Sequence, residues 1–62
     1  MTTSLEHIYR PALDSRIRTA FQFYFQDWAG TELSVRHAAE STGASLVYVR
    51  DLVARERLDT YA

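Results

Sequence analysis

The chain has no cysteine and no lysine, a single proline and only two glycines among its 62 residues. Without cysteine, neither a disulfide framework nor a thiolate zinc site is available to staple a small fold. Two histidines, His7 and His37, are too few for a structural metal without carboxylate help, and no cofactor is implied. No apolar run approaches the roughly 18–20 residues of a membrane span, and no signal-peptide pattern opens the sequence. The expectation is a cytoplasmic protein with no membrane partner. Scarce proline and glycine, together with 47% hydrophobic and 13% aromatic residues, exclude a disordered chain.

A basic surplus is missing as well. Seven arginines face eight acids, for a formal net charge of −1, whereas phosphate binders usually carry an excess of positive charge. Arginine-only usage still keeps bidentate recognition of phosphate and guanine open. The length allows one domain over residues 1–62, and its apolar content suffices for a compact core and a subunit interface.

Three segments make up the chain. In residues 1–10, Thr3 and Glu6 have capping-box spacing ahead of Ile8 and Tyr9, which predicts a short helical turn. Pro11 restricts Arg10 to extended geometry and suits the first turn of a new helix. Over residues 12–29 the period is helical, with Leu13, Ile17, Ala20, Phe21, Tyr24 and Trp28 on one stripe and Arg18, Thr19, Gln22 and Gln26 opposite. Gly30 is the expected stop. Phe23 and Phe25 lie about 90–110° to either side of that stripe. Either the head segment folds over them, or Phe21, Phe23, Phe25 and Trp28 form a dimer interface.

Residues 34–57 read as two short helices. Ser34 is the expected N-cap of the first, which runs to about Thr42, with Leu33 stapling onto Ala38. Gly43 supplies the positive φ that ends it, and Ser45 caps a second helix from Leu46 to about Arg57. Val49, Leu52 and Val53 make the inward face of that second helix, flanked by Leu46 and Tyr48. Two short helices across a glycine-containing turn of three residues form a helix-turn-helix unit.

The pattern resembles the helix-turn-helix of small excisionase and MerR-type regulators of bacteria and phages. Those carry a small residue at the helix crossing, glycine four later, a β-branched residue six further on and an aliphatic three beyond, here Ala39, Gly43, Val49 and Leu52. The resemblance covers residues 34–57 alone. It implies an all-α bundle of three or four helices and a DNA-binding transcriptional or phage-type regulator, such as a repressor. The second helix would enter the major groove of double-stranded DNA. Ser45, Val47, Arg50, Asp51 and Ala54 then point outward, with Tyr48 at the edge. Arg50 is the candidate for a guanine edge, Ser45 for a phosphate, Arg36 and His37 for the backbone, and Arg55 and Arg57 for further phosphates. The plainer alternative pairs Arg36 with Glu40 and Asp51 with Arg55 at helical spacing of four.

Two features depart from the family. Its members commonly carry Arg, Gln, Ser or Thr where this chain has Leu46 and Val47. Only residues 58–62 remain beyond the second helix, too few for the β-hairpin wing many members have, so the unit is expected to be wingless. A homodimer would compensate by placing two such helices on half-sites about 34 Å apart. The competing expectation is a protein-interaction module on the same fold, an antiactivator or inhibitor of a regulator or polymerase that uses Leu46, Val47, Tyr48 and the phenylalanine patch. An enzyme is not expected. His7 and Glu6 are adjacent and diverge on a helix, His37, Glu40 and Ser41 read as surface residues, and no phosphate loop or two-histidine metal spacing is present.

Overall fold

The computed structural model describes residues 10–60, so the helical turn expected at the head lies outside the described residues except for Arg10. Those residues form three helices and no strand: α1 (Arg10–Phe25), α2 (Thr31–Thr42) and α3 (Leu46–Glu56). Arg10 is already helical rather than extended, and Pro11 sits in the first turn, where its missing N–H costs nothing. The Arg10 guanidinium lies over the Tyr48 ring of α3, 5.1 Å from its centroid.

Among the described residues the core is a nine-residue cluster drawn equally from the helices. Ile17, Phe21 and Phe25 come from α1, Val35, Ala38 and Ala39 from α2, and Val49, Leu52 and Val53 from α3. Leu13, Ala20, Ala44, Tyr48 and Leu58 pack around it. On α1 the buried row therefore runs at spacings of four through Phe25, instead of passing through Tyr24 to Trp28. Tyr24 is left at the edge of this row, where its ring meets His37 of α2. Phe21 and Phe25 stack with centroids 5.1 Å apart.

Helix α1 also stops four residues before the expected Ala29. Trp28 takes the left-handed conformation with φ 64°, and the Ala29 N–H bonds back to the Tyr24 carbonyl at 3.2 Å. Gly30 is thereby released from the role of terminator and opens α2 instead, at φ 93° and ψ 161°. That conformation is essentially restricted to glycine.

Because α2 begins at Thr31, Ser34 is not its cap but a fully buried residue one turn inside. Its hydroxyl donates to the Gly30 carbonyl at 2.7 Å, beside the Ser34 N–H at 3.1 Å. Leu33 is exposed and staples nothing. The turn at residues 43–45 forms as its chemistry dictates. Gly43 adopts φ 81° and its N–H bonds to the Ala39 carbonyl, while Ser45 Oγ accepts from the Tyr48 N–H at 3.1 Å. At the far end of α3, Arg57 is left-handed and the Leu58 N–H reaches back to the Val53 carbonyl at 3.0 Å. No buried side-chain polar atom among the described residues lacks a partner.

Candidate nucleic-acid interface

Helix α3 divides cleanly along its length. Val49, Leu52 and Val53 are sealed in the core, whereas Ser45, Leu46, Val47, Arg50, Asp51, Ala54 and Arg55 are exposed. Val47 is the extreme, 76% exposed, and Leu46 is 39% exposed. The helix is held at its start by the Ser45 cap and against α1 by two polar ties. Tyr48 donates its hydroxyl to Asp14 Oδ1 at 2.5 Å, and Arg18 grips Glu56 through Nε and Nη2 at 2.7 and 3.1 Å. Beside the start of α3, an open groove of about 300 Å³ is lined by Arg36, Ala39, Glu40, Ala44 and Leu46.

The candidate contact residues do not all share this face. Arg50 lies on it but is held by Glu32 of α2, with Nη2–Oε1 at 2.9 Å and Nε–Oε2 at 3.4 Å. Asp51 and Arg55 pair within α3 at 3.4 Å, as the plainer alternative expects. Arg36 and Arg57 are exposed and form no ion pair among the described residues. The Arg36–Glu40 pair that the spacing allows is therefore not made.

Two candidates face inward. His37 stacks on Tyr24 at 3.9 Å and 8°, with Phe23 beyond, so its ring covers α1. Its distant nitrogen neighbour is the Ser41 hydroxyl at 3.4 Å. Tyr48, expected at the edge of the contact face, spends its hydroxyl on Asp14 and its ring under Arg10. Both serve the packing of α1, because α1 runs alongside that edge of each helix.

The expected aromatic interface is likewise divided. Phe21 and Phe25 are buried in the core and have no surface to offer a second chain. Phe23 and Trp28 are 65% and 74% exposed. Among the described residues, no group of three His, Asp or Glu side chains is placed to hold a metal ion, and no helix is long and apolar enough to cross a membrane.

These pairings set the charge states. The Arg50 hydrogen bond and charge hold the Glu32 carboxyl below its ordinary range, with Arg36 adding a weaker pull. Arg18 does the same for Glu56. The Tyr48 phenol is pushed up by its hydrogen bond to Asp14, then by burial and the Asp14 charge, against opposing pulls from Arg10 and Arg55.

Glu32 and Asp14 are the partners of candidate contact residues that sequence patterning misses. Each partner lies 18 or 34 residues away, so no local spacing announces it. No family model, no curated protein and no solved structure matches this chain.

Proposed function

We propose that this chain is a DNA-binding regulator whose α2, turn and α3 act as a wingless helix-turn-helix, working as a homodimer. The observation that carries the reading is the division of α3. Its inward residues are spent on the core, while a braced outer face from Ser45 to Ala54 is left to solvent. Its first turn holds no acid, which suits entry into the groove N-terminus first. In this reading Arg50 takes a guanine edge and Val47 packs against a thymine methyl. Ser45 and the start of α3 meet a phosphate, and Arg36 and Arg57 neutralise phosphates on either flank. Phe23 and Trp28 supply apolar surface for the second copy.

Fluorescence anisotropy with duplex fragments across a salt series tests this. A dimer whose Arg36 and Arg57 each neutralise one phosphate gives a log–log salt slope of about −4. Arg50→Ala weakens the preferred site by roughly tenfold or more and relaxes its sequence preference. Absence of any preferred sequence at low salt overturns the reading. Sedimentation as a monomer at high micromolar concentration removes the dimer.

One observation favours the competing protein-interaction module. The outer face leads with exposed Leu46 and Val47 in a chain of nearly neutral charge. Under that reading Val47→Asp abolishes partner binding and Arg50→Ala matters less.

A further inference from the structure

We infer that Glu32 is the positioning residue that aims Arg50 at its base and sets how strongly guanine is preferred, a role that rests on the DNA-binding reading. Arg50 is a long, exposed side chain, and a free arginine must give up rotamer freedom at each contact it makes. Glu32 removes much of that freedom beforehand. It lies in the first turn of α2, 18 residues from Arg50 in sequence, so the contact bridges the two helices of the unit.

The geometry of the grip matters. Oε2 and Oε1 take the Nε–H and one Nη2–H, at 3.4 and 2.9 Å. A guanidinium carries five N–H donors in a fixed plane. Three remain, and two of them, one on Nη1 and one on Nη2, form the terminal edge that supplies the bidentate match to guanine O6 and N7. The carboxylate thus holds Arg50 from the side and leaves its reading edge open.

Of the other two ion pairs among the described residues, Arg18–Glu56 has the same side-on grip, but it ties α1 to the end of α3 and joins no two helices of the helix-turn-helix unit. Arg55 meets Asp51 of its own helix through Nε alone, at 3.4 Å. Glu32 also brings a negative charge close to where phosphates would pass. It therefore opposes sequence-independent binding while favouring the guanine contact. A chain with so little basic surplus gains discrimination this way, because the ratio of specific to non-specific binding decides occupancy.

The test uses the full chain and a preferred duplex selected from a random pool. Anisotropy is measured on that duplex, on the same duplex with the contacted guanine pair replaced, and on an unrelated duplex. Glu32→Ala lowers discrimination at the guanine by about fivefold or more, within the range a bidentate contact supplies. The same change raises affinity for the unrelated duplex by about two- to threefold as a repulsive charge is removed. Glu32→Gln keeps an acceptor and recovers part of the discrimination, though not the charge effect. Arg50→Ala loses the same discrimination, and combining it with Glu32→Ala loses no more.

Glu32 is 69% exposed on its side chain, so thermal melting monitored by circular dichroism checks that each variant remains folded. Unchanged discrimination in Glu32→Ala, or additive losses in the double variant, overturns the positioning role while leaving DNA binding intact. A wild-type chain with no preferred sequence instead overturns the underlying reading, and the role of Glu32 with it.

Discussion

Val47 and Val49 stand two residues apart on one helix, the first 76% exposed and the second fully buried. The inward half of α3 has every apolar group against α1 or α2, and its one polar side chain, Tyr48, is bonded to Asp14. The outward half contributes almost nothing to that core, yet it carries valine and leucine as well as paired charges. Among the described residues the core cluster holds nine residues, and the three that α3 contributes all come from its inner half. Apolar residues left on the outer half are surface available to a partner.

The sharpest way to break this contrast is to empty the core that the inner half packs into. Phe21→Ala removes a fully buried ring stacked on Phe25 and costs about 3–5 kcal/mol. In a domain this small that approaches the whole stability, and the cooperative far-UV melting transition is lost.

The two glycines come next. Gly30→Ala costs about 1–3 kcal/mol, because its backbone lies where an L side chain is strained. Gly43→Ala costs about 1 kcal/mol and Gly43→Asn less, since the left-handed helical region tolerates asparagine. A Cβ meets nothing within 4 Å at either position, so urea titration reads backbone strain alone.

Tyr48→Phe removes the tie to Asp14 at about 1 kcal/mol. The folded phenol titrates above its ordinary value, so its contribution is complete below the unfolded pKa of about 10 and is lost as pH rises through the folded one. Alkaline unfolding of the wild type therefore contains a step that Tyr48→Phe lacks. The acid limb has the opposite sign. Glu32 and Glu56 titrate below their ordinary value, so their pairs contribute above it and are lost as pH falls through the lowered folded values. Melting temperatures at pH 7 and pH 3, with and without added salt, measure that contribution.

Smallest of all in stability is Val47→Asp, expected within about 0.5 kcal/mol because the side chain faces solvent. A large loss of folding from this change would erase the division of α3.

The second half of the chain is the more legible in sequence. The period of Val49, Leu52 and Val53, the glycine at 43 and the serine at 45 all carry local chemistry, and the turn forms where they place it. On the aromatic helix, rows through Tyr24 and Trp28 and through Phe21 and Phe25 are equally apolar, so periodicity alone does not choose between them. The start of α2 is ambiguous because two residues qualify as its opening: Ser34 by its hydroxyl and Gly30 by its freedom. The structure takes Gly30. The candidate site is legible in part. Arg50, Val47 and Ser45 come from helix phase, whereas the inward turn of His37 and Tyr48 does not.

From its residues alone the chain determined three helical periods, the break at Gly43, the Ser45 cap and the inner face of α3, because each depends on neighbours within about four positions. Which aromatic row is buried, where α1 ends, and that Asp14 captures Tyr48 and Glu32 captures Arg50 were decided by tertiary structure. These depend on which helix lies alongside which, and contacts spanning 18 or 34 residues leave no periodic trace in the order of the side chains.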